Sequence, residues 1–199
     1  MKPSFFTSIG YSMKDEIWRL EDLKTIVVFK SESGFTKKIA ERIANELNAD
    51  IFDMKSIRLA NLSDYDAVIY GGAVHAQRII GLRKIKTTLK KLNKQIKVVF
   101  AVGSAANDSF SIPIIKKSNL TEEELKKIRF FYFRGGYNKE SLTLQSKMIM
   151  SIVSTLVFKR IQNKKPEFKE ILEMMNDSAD YTQTENISSL ISYVRQEEV

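Results

Sequence analysis

The chain has 199 residues, of which 43% are hydrophobic, and its formal net charge is +8. This length and composition suit one domain with a single buried core. The sequence has no cysteine and one histidine, His75, which excludes disulfides, a cysteine nucleophile, and metal sites built from thiolates or from several histidines. We therefore expect no metal and a reducing, cytoplasmic location.

The positive charge indicates attraction to an anionic partner, which can be a nucleic acid, an anionic lipid surface or an acidic protein. The alternative is that a lysine-rich surface only keeps the protein soluble. No nucleic-acid partner is expected, because the basic residues are not interleaved with aromatic residues and no nucleic-acid-binding module is evident. With one histidine and no GxSxG motif, hydrolysis by a serine triad is not indicated either.

Segment 1–23 is predicted to be an N-terminal extension, and residues 24–199 are predicted to form the domain. Predicted strands occupy 25–29, 50–54, 67–70, 96–102 and 128–133, where apolar and β-branched residues run together. The third strand is expected to end at the glycine pair Gly71 and Gly72. Predicted helices occupy 35–47, 79–92, 120–127, 139–163, 166–175 and 184–195. This alternation predicts an α/β fold with a parallel sheet between two helical layers.

Residues 31–36, SESGFT, connect the first predicted strand to the first predicted helix. Ligands bind at the carboxyl ends of the strands in such sheets, so this loop lies where a site is expected. Its hydroxyl groups, its glycine and the helix that follows suit one phosphate group. The spacing is neither that of GxGxxG nor that of a P-loop. The alternative is that Ser33 only caps the helix.

The stretch SESGFTKKIAERIANEL resembles the flavodoxin phosphate loop, usually written T/S-x-T/S-G-x-T, and the helix that follows that loop. The resemblance extends over most of 24–195. It implies an α/β flavodoxin-like three-layer sandwich with a five-stranded parallel sheet in the strand order 2-1-3-4-5, and noncovalent binding of FMN. Carried over residue by residue, it implies that the FMN phosphate is held by Ser31, Glu32, Ser33, Gly34, Phe35 and Thr36.

The same resemblance implies that the flavin ring lies against the loops after the third and fourth strands. Small residues in both loops let the backbone approach a flat ring. The implied ring-binding residues are Gly72, Ala73, Val74 and His75 in one loop, and Gly103, Ser104, Ala105 and Asn107 in the other. Neither loop has the Trp and Tyr that sandwich the ring in many flavodoxins, and His75 or Phe110 could partly replace them. For His75 we expect polar contact or proton supply, the alternative being a plain surface histidine.

The later part of the chain is similar to the branch of flavodoxin-like proteins that includes the menaquinone-dependent protoporphyrinogen oxidases. The similarity lies in YGG after the third strand, in FFYFRGGYN and in the lysine-rich segment that follows. It implies an FMN-dependent oxidoreductase that passes electrons to a quinone or to another redox partner. The alternatives are a non-enzymatic electron carrier, which is typically acidic, and a flavin-binding regulatory protein. No catalytic residue is identified.

Segment 139–165 combines an apolar stripe with a set of basic residues, which are Lys147, Lys159, Arg160, Lys164 and Lys165. A basic amphipathic helix can lie on an anionic membrane surface, where a quinone is met. The alternative is that the stripe packs on the sheet as the last helix of the fold. In the first case we expect peripheral contact with the inner face of a membrane. The longest apolar stretch, 148–158, is too short to span one.

Overall fold

A parallel sheet lies at the centre of the fold. The computed structural model describes residues 23–137 and 179–197. In chain order the strands are β1 (Thr25–Lys30), β2 (Asp50–Asp53), β3 (Ala67–His75), β4 (Arg78–Ile79), β5 (Ile96–Gly103), β6 (Arg129–Arg134), β7 (Gly136–Tyr137) and β8 (Ala179–Asp180). Five of them form the main sheet in the order β2-β1-β3-β5-β6, β4 pairs with β3, and β7 pairs with β8.

The main sheet is parallel along its whole path, and of the strands that the structure describes only β4 pairs with it antiparallel. Counting the five parallel strands in chain order gives 2-1-3-4-5, so the predicted fold and strand order are confirmed. The register runs straight across the centre, where Val27 of β1 lies beside Ile69 of β3, which in turn lies beside Val98 of β5. All three side chains are fully buried, as expected for strands covered on both faces.

Two layers of helices cover the two faces of the sheet. The helices are α1 (Phe35–Leu47), α2 (Leu82–Lys91), α3 (Ser111–Asn119), α4 (Glu122–Leu125) and α5 (Ser188–Arg195), and Leu59–Asp64 forms a 3-10 helix. One core contains buried residues of α2 and α3, such as Ile85 and Ile115. The other core contains buried residues of α1 and α5, such as Ile43 and Leu190. The arrangement is the predicted three-layer sandwich.

Helix α1 has the predicted bounds, because its sequence carries one clear apolar stripe. Ile39, Ala40, Ile43 and Ala44 are buried against the sheet, at the i, i+1, i+4, i+5 spacing of a helix that buries one face. The helix ends at Asn48, whose left-handed backbone has a φ of 48°. Asparagine is one of the few residues that adopts this conformation readily.

The third strand is longer than predicted, and the expectation that it ends at Gly71 and Gly72 is wrong. The strand continues to His75 and returns through β4, so α2 begins at Leu82 instead of residue 79. The two glycines do not break the strand, because each one makes room for a neighbour: a Cβ on Gly71 would lie 2.0 Å from the Phe100 ring, and one on Gly72 would lie 2.5 Å from Ile79.

Helix α3 was not predicted from the sequence. It contains Pro113 in its first turn, where proline lacks only a hydrogen bond that the helix does not need. Its apolar residues are not confined to one stripe, since Ile115 is buried while Phe110 and Ile114 are exposed. The helical period therefore cannot be read from the apolar positions.

Several expectations concern residues outside the described ranges. They are the N-terminal extension 1–23 except for its last residue, the predicted helices at 139–163 and 166–175, and the basic cluster at 159–165. Within 23–137 and 179–197, no helix is long and apolar enough to cross a membrane.

A buried carboxylate fixes the short helix α4 to α2. The side chain of Glu124 accepts a hydrogen bond from the Thr121 backbone N–H at 2.9 Å and completes a capping box at this helix start. Its two oxygens also pair with Lys86 at 3.0 Å and Lys90 at 2.8 Å. Burial alone would raise the pKa of Glu124, but the bonds from Lys90, from Thr121 and from Lys86 outweigh burial and lower the pKa to about 2.

Glu124→Gln is expected to lower the free energy of unfolding at pH 7 by about 2 kcal/mol, because it removes the charge that both lysines pair with. The effect is not larger because Lys90 is exposed and solvent screens its pair with Glu124. The folded-state pKa lies below the ordinary value, so the carboxylate stabilises the fold fully above about pH 4.5 and loses this effect as the pH falls through about 2. Urea unfolding at pH 7, 4 and 2.5 should therefore show the gap between wild type and variant closing. Glu123→Gln is the control, because Glu123 is exposed and its one ion pair within 23–137 and 179–197 is with Lys126; an equal effect from both variants would contradict the assignment.

Candidate functional site

The three loops that were predicted to bind a cofactor leave the sheet at the same edge. Lys30 at the end of β1 lies beside Gly72 of β3, and Gly72 lies beside Ala101 of β5. These strands are parallel neighbours, so the segments that follow them meet beyond their carboxyl ends. This is the edge at which open α/β sheets bind ligands.

The loop between β1 and α1 leaves the start of the helix free of any side-chain cap. The N-cap residue is Gly34, whose φ of 91° lies in the left-handed region, and no side chain of the described residues caps the helix. The first helical bond runs from the Lys38 N–H to the Gly34 carbonyl at 3.1 Å, so the N–H groups of Phe35, Thr36 and Lys37 lie outside the helical ladder. A left-handed residue followed by helical residues turns such groups toward one point, which suits an anion.

The alternative in which Ser33 caps α1 is therefore wrong. Ser33 is exposed, and the serine that organises the loop is Ser31, whose hydroxyl accepts a hydrogen bond from the Gly34 N–H at 3.1 Å. This bond closes the loop on itself and holds the glycine at the helix start. The hydroxyl-bearing residue Thr36, in the first turn of α1, is almost fully buried.

Phe35 contributes to the loop through packing as well as through its backbone. Its ring lies against the glycines that follow β6: a Cβ on Gly135 would be 3.0 Å from Phe35 Cβ, and one on Gly136 would be 2.8 Å from Phe35 Cε1. The side chain thus anchors the phosphate loop to the β7–β8 pair. What Phe35 offers a ligand is its N–H group.

The second predicted loop is a tight hairpin between β3 and β4. Its two turn residues, Ala76 and Gln77, have φ values of 45° and 67°, the pattern of a type I′ turn, which normally uses Asn and Gly. The carbonyl of the predicted ring-binding residue Ala73 is already paired, since the Ile80 N–H donates to it at 3.0 Å, and Val74 lies opposite Ile79 in the ladder. The Ala73 carbonyl is therefore not free for a ligand.

Asn119, at the end of α3, holds this hairpin in place. Its side-chain oxygen accepts a hydrogen bond from the Ile79 N–H at 2.9 Å, and its side-chain NH2 donates to the Gln77 carbonyl at 2.7 Å. The residue is buried, so these bonds replace bonds to water. They stabilise a turn that its own residues, neither glycine nor asparagine, adopt only with strain.

His75 brings the hairpin to the phosphate loop. Its Nδ1 lies 3.8 Å from the Glu32 carboxylate, and both side chains are more than half exposed. The contact is an ion pair only when the histidine is protonated, and exposure makes its contribution to stability small. Two predicted cofactor residues from separate loops are thus brought together by the fold.

The third predicted loop follows β5 and is supported from two sides. The Tyr132 hydroxyl donates to the Ala105 carbonyl at 3.0 Å, and a Cβ on Gly103 would lie 2.6 Å from that hydroxyl oxygen. The Asn107 side chain donates to both oxygens of Glu185, at 3.1 and 3.0 Å. Ser104 is exposed. Asn107 therefore anchors the loop, and its NH2 group is not free for a ligand.

Tyr132 remains a hydrogen-bond donor over the usual pH range. Burial raises the pKa of Tyr132 to about 12, although Ala105 and Arg134 act to lower it; the nearby Glu185 carboxylate raises it by a smaller amount. The loop after β5 is thus held by the neutral hydroxyl of Tyr132, which lies near the carboxyl end of the adjacent strand β6.

Sequence reasoning missed the residues of 179–187 that buttress the site. The Arg42 guanidinium on α1 donates to the carbonyls of Thr182 and Glu185, and Lys38 pairs with Asp180 at 2.5 Å. These contacts join the helix after the phosphate loop to the segment that also binds Asn107. They span about 140 positions, and no local motif marks either partner.

The site residues fit the group that the resemblance implies. Space is open beside the loop at 31–36, since a Cβ on Gly34 would meet no atom of the described part of the chain within 4 Å, and uncapped N–H groups border that space. The hairpin end and the loop after β5 flank the same edge. An anion and an adjoining flat group can be held here by backbone groups without a metal ion.

Comparison with known proteins agrees with this fold. The family model described as "Flavodoxin domain" matches residues 26–164. No curated protein gives a significant match. A flavodoxin from the domain Archaea is 20% identical, with coverage of 67% of this chain and 98% of that chain and a TM-score of 0.40.

Two further solved structures are similar at the same level. A flavoprotein from Lactobacillus acidophilus, solved in complex with FMN, is 19% identical over 56% of this chain and 92% of that chain, with a TM-score of 0.37. A flavodoxin from Streptococcus pneumoniae is 17% identical over 52% of this chain and 90% of that chain, with a TM-score of 0.40. The family match covers well over half of the chain, and the observed strand order is that of the predicted flavodoxin-like sheet. The chain belongs to the flavodoxin-domain family.

Proposed function

We propose that this protein binds FMN noncovalently and is a flavin-dependent redox protein. The observation that carries the proposal is the loop at 31–36, where a left-handed Gly34 and an uncapped α1 provide an anion site in a member of the flavodoxin-domain family. When bound, FMN supplies reversible one- and two-electron chemistry. The phosphate lies at this loop, and the ring lies against the hairpin end and the loop after β5.

The chain's own residues bind and orient the cofactor. The N–H groups of the first turn of α1 hold the phosphate, with the helix dipole adding to the attraction. Tyr132 and Glu185 hold the loop after β5 at the ring. His75, beside Glu32, provides a polar contact at the ring edge and can carry a proton there.

Two redox roles are compatible with this site. The first is an oxidoreductase similar to the menaquinone-dependent protoporphyrinogen oxidases, in which a substrate delivers electrons and a quinone removes them, with peripheral contact to an anionic membrane. The second is an electron carrier for a protein partner. The exposed residues Phe110 and Ile114 beside the site favour the second role, because an electron carrier must present its redox edge to another protein.

The cofactor is tested by adding FMN to the purified protein, removing the excess, and recording the absorption spectrum. Flavin bands shifted from those of free FMN are expected, and a protein that stays colourless and fails to bind FMN by titration would overturn the proposal. The two roles are then separated by reduction and reoxidation. Rapid two-electron reoxidation by a menaquinone analogue indicates the oxidase, whereas reduction in two distinct one-electron steps indicates the carrier.

Asn119→Leu is expected to lower FMN affinity about tenfold and to lower stability by about 2 kcal/mol, because the Ile79 N–H and the Gln77 carbonyl lose a buried partner and the hairpin shifts. FMN titration and urea unfolding measure the two effects. Leu120→Ala is the control: Leu120 is buried next to Asn119 in sequence, and its loss lowers stability by a comparable amount without removing a bond to the hairpin. Equal FMN affinity in wild type and Asn119→Leu would contradict the positioning role.

A further inference from the structure

One exposed surface next to the cofactor loops combines apolar and basic residues. It consists of Phe110, Pro113, Ile114, Lys116, Lys117 and Arg78, here called the α3 face. Phe110 is 75% exposed and Ile114 is 40% exposed, and they are among the few large apolar side chains found exposed in the described residues. Phe110, Ile114 and Lys117 follow the i, i+4, i+7 spacing that places them along one side of the helix.

The α3 face lies directly beside the proposed flavin site at both of its ends. The helix begins four residues after Asn107, which belongs to the loop after β5. At its other end Asn119 bonds to the hairpin, and the Arg78 guanidinium of that hairpin donates to the Ser118 carbonyl. A partner seated on α3 therefore contacts both loops that flank the ring.

Within 23–137 and 179–197, charge is distributed unevenly between the two helical layers. Segments 72–94 and 103–127, which include the hairpin, α2, α3 and α4, contain eleven basic and four acidic residues. Two of the four acids, Glu123 and Glu124, are already paired with lysines of the same layer. Segments 35–47 and 179–197 on the other layer contain four basic and five acidic residues. Among the residues that the structure describes, positive charge is thus concentrated on the layer that carries the α3 face.

We propose that the α3 face is the docking site for an acidic protein that exchanges electrons with this one; the electron exchange, though not the docking, rests on the proposed binding of FMN. A small apolar centre with a basic rim suits a transient complex in which charge steers the encounter and apolar contact orients it. The electrons pass between the partner's redox centre and the flavin, one being oxidised as the other is reduced, so no further reactant is needed.

The same surface is less suited to a lipid bilayer. Helices that lie in a membrane interface have a broad apolar face, whereas the exposed residues of the neighbouring α2 are all polar, namely Arg83, Lys84, Thr87, Lys90 and Lys91. The apolar part of the α3 face is limited to a few side chains at one end of a short helix. A protein partner with acidic residues around an apolar patch matches it better.

The experiment uses a plant-type [2Fe–2S] ferredoxin, an acidic redox protein, as the probe. Its reduced form is mixed with the FMN-loaded protein, and flavin reduction is followed by stopped flow at low and high salt. Lys116→Gln/Lys117→Gln and, separately, Ile114→Ser should each slow the second-order reaction at low salt, the lysine variant by about tenfold. For the lysine variant the difference should shrink at high salt.

The control is Lys24→Gln/Lys94→Gln, which removes the same charge at exposed positions just before β1 and β5, on the opposite edge of the sheet. It should react within about twofold of wild type. Equal rates for the α3-face variants and wild type would overturn the docking site. The docking site would also be overturned if binding to phosphatidylserine vesicles depended on Lys116 and Lys117 while the rate of reaction with ferredoxin did not.

Calorimetry separates this proposal from the proposed function. Oxidised ferredoxin is titrated into the protein with and without FMN. Docking that weakens in the α3-face variants supports the interaction even when FMN fails to bind, in which case only the redox role fails. Absence of ferredoxin binding to an FMN-loaded wild-type protein would overturn the docking site and leave the cofactor proposal intact.

Discussion

Gly34→Val is expected to reduce FMN affinity at least about 100-fold while the fold persists. The backbone φ of 91° at this position is open to glycine but not to a β-branched residue. The loop must therefore shift, and the N–H groups of the first turn of α1 move away from the phosphate. Loss of two such charge-assisted bonds, at about 1.5 kcal/mol or more each, accounts for the expected change. Quenching of FMN fluorescence on titration measures it.

The fold should survive this change, because a Cβ on Gly34 would meet no protein atom within 4 Å. The matched control is Asn48→Val at the other end of α1, where φ is 48° and the residue is exposed. It introduces comparable backbone strain, about 1–2 kcal/mol, far from the phosphate loop. Equal loss of FMN affinity in both variants would show that helix destabilisation, not the loop, is responsible.

The first β-strand and helix could be predicted because their local pattern and their tertiary environment agree. The apolar run at 25–29 lies in a central strand that is buried on both faces, and the apolar stripe of α1 faces the sheet. The loop at 31–36 could be placed between this strand and this helix for the same reason, since its residues are adjacent in sequence. Where a site is built from one continuous segment, the sequence contains all the information that locates it.

The rest of the site depends on contacts between distant residues. Asn107 was expected at the ring, but its amide is bound by Glu185, a residue that carries no local pattern. Asn119 and the turn at Ala76 depend on each other, because the turn residues alone do not favour positive φ. Such pairs are fixed by the tertiary structure, so the hairpin was missed even though the fold class was right.

The glycine pair in β3 shows how one residue type supports opposite predictions. Glycines at the end of an apolar run usually indicate a turn, and the strand was therefore predicted to end there. In the structure Gly71 lies in the strand because the ring of Phe100, on the neighbouring strand, occupies the space that a side chain would fill. Whether Gly71 ends the strand or lies within it therefore depends on Phe100, which is 29 positions later in the sequence.

Gly71→Ala is consequently expected to destabilise the protein by about 3 kcal/mol and to weaken FMN binding. The added Cβ would lie 2.0 Å from Phe100 Cζ and within 2.6 Å of two further ring atoms. Phe100 is fully buried and its ring packs edge-on against Phe133, with ring centroids 5.8 Å apart, so it cannot move aside without strain. Either the ring or β3 must shift, and a shift of β3 moves the hairpin at the ring.

Phe100→Leu should partly rescue Gly71→Ala. Alone it costs about 1–2 kcal/mol, because it shortens a buried side chain, but it also removes the ring atoms that the new methyl group would meet. The double variant is therefore expected to be at least about 1 kcal/mol more stable than the sum of the single effects predicts. Phe133→Leu serves as the control partner: it trims the same core without removing the atoms next to Gly71, so its effect should add to that of Gly71→Ala. Additivity in both pairs, measured by urea unfolding, would mean that Phe100 does not require a glycine at position 71.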